Sequence, residues 1–178
     1  MTASNIDPGV VIADAGPVIA LSRIAQLTLL RDLFGRVWIT ETVRQEIVDG
    51  GLFVDTALVQ QAIMEGWLAV ESSAQEPLAL MTGELDAGEL SSITWAFARQ
   101  EMSKPSLLIL DDAKARGVAA QLKLPVVGTA GVIGQAKLAG LIPQAAPILW
   151  RLPEVGYFVA PAIIEAVLRQ VGESSERQ

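Results

Sequence analysis

A chain of 178 residues, 51% apolar and with a formal charge of −7, can bury one sizeable core but offers no overall basic field to a polyanion. It contains no cysteine and no histidine, which excludes disulfides, thiolate nucleophiles, Zn–thiolate sites, Ser-His-Asp arrangements and imidazole proton transfer. Carboxylates, lysines, hydroxyls and hard metal ions remain for catalysis, and the lack of disulfide chemistry fits a reducing, cytoplasmic setting.

The opening MTASNIDPG has no basic leader, and the apolar stretch after it is interrupted by Asp14 and Gly16. No segment reaches the about 18 uninterrupted apolar residues of a membrane span, so neither a signal peptide nor a membrane helix is expected. Residues 10–13 are an apolar run closed by Asp14, and apolar residues recur at Val18, Leu21 and Ile24 after Pro17. This predicts a buried strand, a turn, and a helix with Pro17 in its first turn. A helix over residues 27–34 precedes a strand over 37–39 that Thr40 closes. The segment ETVRQEIVDGG has helical spacing through Val43 and Ile47 and stops at Gly50-Gly51.

A further helix through Leu58, Val59, Ile63 and Met64 leads to a strand over 67–70, and residues 86–99 are strongly helical. Residues 106–110 are apolar on both faces, as in a parallel strand covered by helices. A helix over 112–122, a strand at 126–127 and a helix over 129–138 complete the alternation. The fold class is therefore α/β, a three-layer α/β/α sandwich with a central parallel sheet and right-handed crossovers. One domain spans residues 1–178, with its core over about 10–142. Residues 143–170, with Pro143, Pro147, Pro153 and Pro161, form a helical C-terminal extension, and 171–178 a frayed tail. Trp150, Tyr157 and Phe158 in the extension are expected to pack on the core or to form a homodimer contact.

In open α/β sheets ligands bind beyond the carboxyl ends of the strands. Asp14 and Asp111 each directly follow an apolar run, although an aspartate there also serves as a helix cap. Asp112 is the better cap of its adjacent pair, which leaves Asp111 for another role. Glu46 lies close to the apolar stripe of its helix, where an ordinary half-exposed glutamate is the alternative. Asp86-Ala87-Gly88-Glu89 fits a capping box, and a first-turn glutamate also points toward the strand ends. Acids gathered from separate segments suit Mg²⁺ or Mn²⁺, and phosphodiester hydrolysis uses such ions to generate hydroxide and offset charge. A carboxylate cluster explains part of the negative charge, and surface acids such as Asp49, Asp55, Glu65 and Glu71 the rest.

The segments VVIADAGPVIALSRI, WITETVRQEI, DAGELSSITWA and LLILDDAKARGVAAQLKLPVVGTAGVIGQAKLAGLI occur in that order. Together they resemble the PIN-domain family, and within it the bacterial and archaeal PIN-like proteins related to toxins of toxin–antitoxin pairs. The resemblance implies a compact parallel sheet with Asp14, Glu46, Glu89 and Asp111 as catalytic, metal-binding acids. It also implies Mg²⁺- or Mn²⁺-dependent endoribonuclease activity. Thr129, in VVGTAGV, matches a hydroxyl residue that many members place near the metal, and Asp112 is an additional or outer ligand under the same resemblance. Where many members carry another aspartate soon after the fourth-strand acid, this chain has Lys114 and Arg116, which either hold RNA phosphate or salt-bridge the acids.

Arg23, Arg44, Lys114, Arg116 and Lys137 form a candidate RNA-binding rim, each alternatively part of a solvated helix face. The leading expectation is an endoribonuclease preferring single-stranded RNA, in its toxin form blocked by an antitoxin protein. The alternative is an inactive module that binds RNA or a protein partner, which the acidic charge favours. A phosphotransfer or phosphatase role is disfavoured, because DAGP lacks the second aspartate of a DxDx loop and no GxxxxGK[ST] loop is present.

Overall fold

The chain is described by a computed structural model over residues 9–50, 53–72 and 85–174. Expectations that fall on MTASNIDP, on Gly51 and on residues 175–178 lie outside them. The strands β1 (Val10–Ala13), β2 (Val37–Thr40), β3 (Leu68–Glu71), β4 (Ser106–Ile109) and β5 (Val126–Val127) form an all-parallel sheet in the order β3-β2-β1-β4-β5. The chain winds outward from β1 to β3 and then returns to lay β4 on the other side of β1. The direction of winding therefore reverses between β1 and β4, where an open sheet leaves a crevice. Ala13 stands opposite Ile109, and the Asp14 amide donates to the Ile109 carbonyl at 3.0 Å. Asp14 and the Leu110-Asp111 step thus leave the sheet side by side.

Successive side chains of the central strands go to opposite faces, and both faces are buried. Val11, Ala13 and Ile109 enter one core, while Ile12, Leu108 and Leu110 enter another. The first core is covered by α1 (Ala15–Arg23), α2 (Thr28–Phe34), α4 (Phe53–Met64) and α7 (Thr129–Leu138), with Val43 and Ile47 of α3 (Glu41–Gly50) packed into it. The second is covered by α5 (Ala87–Glu101) and α6 (Ala113–Gln121). Helices on both faces of a parallel sheet make the α/β/α sandwich that the apolar runs predict.

The third strand begins one residue later than expected. Leu68 is the register partner of Val37, while the Trp67 carbonyl only accepts from the Val37 amide at 2.8 Å. The C-terminal extension, α8 (Ala146–Glu154) and α9 (Pro161–Gln170), packs on the first core through Leu149, Leu152, Val167 and Leu168. Trp150 is half-buried against that core, whereas Phe158 stays 81% exposed.

Two expectations are corrected. The tail does not fray from residue 171, because the Glu173 carboxylate accepts from the Ala145 amide at 2.9 Å and the Ala146 amide at 2.8 Å, and so caps the start of α8. Asp55 is not a surface acid. It is 1% exposed and pairs with Arg23 at 3.0 Å, joining α4 to α1. Among the described residues no helix is long and apolar enough to cross a membrane.

Candidate active site

β1 ends at Ala13 and α1 begins at Ala15, so the backbone of Asp14, at φ −82° and ψ 165°, makes the turn between them. Its carboxylate makes no cap hydrogen bond to α1. Asp14 is 8% exposed, and its Oδ1 is buried with no hydrogen-bond partner among the described residues. An unpaired buried carboxylate oxygen is costly, so something else must account for it. Burial raises the Asp14 pKa to about 7, and the charges of Asp86, Glu89 and Glu46 push the same way.

Those neighbours are held by α3 and by the start of α5. The Val43 amide donates to Thr40 Oγ1 at 3.1 Å, and the Thr40 hydroxyl shares a 2.6 Å hydrogen bond with that of Ser91. The start of α3 is thereby tied to the start of α5. Glu46 then reaches across, its Oε1 accepting from the Gly88 amide at 2.7 Å. A Cβ added at Gly88 would lie 2.1 Å from Glu46 Oε2, so the close approach needs glycine. The expected capping box is present. The Glu89 amide donates to Asp86 Oδ1 at 2.8 Å and the Asp86 amide to Glu89 Oε2 at 3.1 Å. Glu46 has a raised pKa through burial and the charge of Asp86. Glu89 has one through burial and the charges of Asp86, Asp112 and Glu46.

Asp86 is therefore the charged neighbour common to Asp14, Glu46 and Glu89. Sequence reasoning read it only as a cap. The signal was in plain view, since an N-cap acid facing a sheet edge adds its charge to whatever lies there.

Asp111 is anchored differently. Its Oδ1 accepts from the Thr129 amide at 2.9 Å, and its Oδ2 accepts from the hydroxyls of Thr129 at 2.5 Å and Tyr157 at 2.6 Å. A Cβ at Gly128 would come within 2.6 Å of Asp111 Oδ1, so glycine again admits the carboxylate. Tyr157 links Asp111 to the other acids. Its pKa is raised by burial and by the charge and hydrogen bond of Asp111, and the charge of Asp14 adds to this. A Cβ at Gly16 would lie 3.3 Å from the Tyr157 hydroxyl and 4.0 Å from Asp14 Oδ2. No local pattern in the sequence signals Tyr157, which reaches the site from the segment between α8 and α9. Asp112 is exposed and caps α6, its Oδ1 accepting from the Lys114 amide at 2.8 Å and the Ala115 amide at 2.9 Å.

Of the basic candidates, Arg23 pairs with Asp55 and Arg44 with Glu41. Lys137 donates to the Pro143 carbonyl and lies 3.9 Å from Glu173. These side chains are engaged away from the acids. Lys114 is exposed, and Arg116 is exposed with its Nη1 on the Leu110 carbonyl at 2.9 Å. Neither pairs with a site acid among the described residues.

The donors are carboxylate oxygens throughout, one of them buried and unpaired, and Asp14, Glu46 and Glu89 hold their protons more tightly than free carboxylates do. That set fits a hard divalent cation. Among the described residues no three acids stand close enough to form a closed cage. A cation here would have few direct protein ligands and keep much of its water, as Mg²⁺ commonly does.

Among solved structures the chain is similar to a PilT N-terminus domain protein, SSO1118, from the hyperthermophilic archaeon Sulfolobus solfataricus P2. The two are 18% identical with a TM-score of 0.51, over 71% of this chain and 92% of that one, a likeness that bears on the fold alone. No curated protein matches the chain. The family model described as "DUF3368: PIN domain" matches residues 10–173, from β1 through α9. PIN domains are generally nucleases and typically use divalent metal ions. With the parallel sheet, the acids at its winding reversal and this match in agreement, the chain belongs to the PIN-domain family.

Proposed function

We propose that this protein is a divalent-metal-dependent endoribonuclease that hydrolyses phosphodiester bonds in single-stranded RNA. The observation that carries the reading is the buried, unpartnered Oδ1 of Asp14 at the winding reversal, on a carboxyl whose pKa is raised to about 7 chiefly by burial and further by the charges of Asp86, Glu89 and Glu46. Mg²⁺ or Mn²⁺, when bound, acidifies a water and offsets charge on the phosphorus. Asp14, Glu46, Glu89 and Asp111 are the acids that would hold it. The Gly88 amide orients Glu46, the capping box orients Glu89, and Thr129 orients Asp111, so each of these acids is held in place by its own hydrogen bonds. Asp112 serves α6 as a cap and the site through its charge. Lys114 and Arg116 face the RNA phosphates. The narrower role, a toxin restrained by an antitoxin protein, rests on the family resemblance.

A second reading, an inactive module that binds RNA or a protein, is favoured by the charge of −7 and by the ion pairs that engage Arg23 and Arg44. Thermal unfolding with and without millimolar Mn²⁺, on the wild type and on Asp14→Asn, separates the two. Cleavage of a labelled single-stranded RNA is followed in the same buffers. The nuclease reading expects metal stabilisation and cutting in the wild type, both lost in the variant. Absence of both in the wild type leaves the binding module.

A further inference from the structure

A groove of about 630 Å³ adjoins the acids, bounded by β5, the first turn of α7 and α9. Asp111 and Gly128 are among its lining residues, so the groove shares Asp111 with the site. Its other walls are mostly apolar, and its rim carries Phe158, 81% exposed, and Ile163, 52% exposed. Large apolar side chains left together in water at the mouth of a groove mark a place where something flat and apolar is received. Phe158 follows Tyr157 directly. The same short segment sets a phenol on Asp111 and presents an aromatic ring to the groove. Arg116 lines the groove as well, with only its Nη1 engaged, on the Leu110 carbonyl, among the described residues.

This arrangement matches one nucleotide of an unpaired strand: a flat base with apolar faces, joined to a phosphate. A phosphodiester lying on the acids places the neighbouring base within reach of any pocket that shares Asp111. Base stacking on an aromatic ring tolerates any sequence, and a guanidinium at the rim meets the adjoining phosphate. A protein segment covering the groove would have to bury the exposed Arg116 along with it. Resting on the nuclease reading above, we propose that this groove is the subsite for one unpaired base beside the scissile phosphate, stacked on Phe158 and with Arg116 on the adjoining phosphate.

The test uses a short, fluorescein-labelled single-stranded RNA containing 5-iodouridine. Its binding is followed by anisotropy to full-length Asp14→Asn protein, in which the proposed reaction is blocked. Adding Phe158→Ala should weaken binding about 5- to 100-fold, the range for loss of a stacked base, whereas Phe158→Trp should bind like the parent. Irradiation should crosslink the RNA to the groove, at or beside Phe158. Because the ring is exposed, Phe158→Ala should keep the parent melting temperature. Equal affinity of Phe158→Ala and parent, or crosslinks confined elsewhere, overturns the subsite even where the wild type cuts RNA. A wild type that neither binds nor cuts the probe overturns the nuclease reading and the subsite with it. If sedimentation shows a dimer that Phe158→Ala dissociates while RNA affinity is unchanged, the groove receives a second copy and the proposal fails.

Discussion

Asp14 keeps its proton to about pH 7 in the metal-free fold, chiefly through burial and then through the charge of Asp86. Between the unfolded pKa of about 4 and the folded one, the native state holds a proton that the unfolded chain has released. Raising the pH through that window therefore favours unfolding, by up to roughly 4 kcal/mol if Asp14 acts alone. The raised pKa values of Glu46 and Glu89 act in the same direction. Urea unfolding at about pH 5 and about pH 8 should show the wild type less stable at the higher pH, with a smaller difference in Asp14→Asn. Gly88 gives a second residue-scale test. A methyl there meets the flexible end of Glu46 and not the backbone, so the carboxylate gives way and the helix stays. Gly88→Ala should lower Mn²⁺ affinity by about 10-fold or more, read by calorimetry, while the metal-free melting temperature moves by only a few degrees. Asp14 and Asp111 are legible in the sequence because each closes an apolar run. Glycines 88 and 128 are not, because the need for them arises from carboxylates brought in from other segments.

The elements were legible wherever one segment carries its own signal. The capping box is written in DAGE, the buried strands in unbroken apolar runs, and the cap of α6 in the second aspartate of the pair. Strand ends were less so, since the start of β3 is set by its pairing with β2 and not by its own residues. The cap of α8 was invisible for the same reason, because Glu173 arrives from beyond α9. Glu173→Ala should cost about 1 kcal/mol through the lost amide partners. A drop in melting temperature of about 2–4 °C is expected in differential scanning calorimetry, with Mn²⁺ affinity unchanged. A larger loss would mean that α8 and α9 detach as a unit.

For the whole molecule, the fold class follows from strands apolar on both faces, whereas the assembly of the site depends on contacts that no periodicity reveals. Tyr157 was legible only as apolar surface, and its polar role appears once α8 and α9 fold back onto the sheet. Global charge makes a separate prediction. With a net charge of −7, Arg23 and Arg44 engaged in ion pairs, and Lys114 and Arg116 the two cations proposed to meet RNA, few phosphates can be neutralised. The logarithm of RNA affinity should fall with the logarithm of salt at a slope of about −1 to −2, as expected for neutralising two phosphates of a single strand. A much steeper slope would require a basic face elsewhere. The partnership of Asp111 with Tyr157 also bears on biosynthesis. A ribosome exposes Asp14 early and Tyr157 late, and β1 lacks a neighbour on one side until β4 has emerged. A nascent chain stalled before residue 157 leaves Asp111 without its phenol partner, so an interrupted translation product does not carry the finished site.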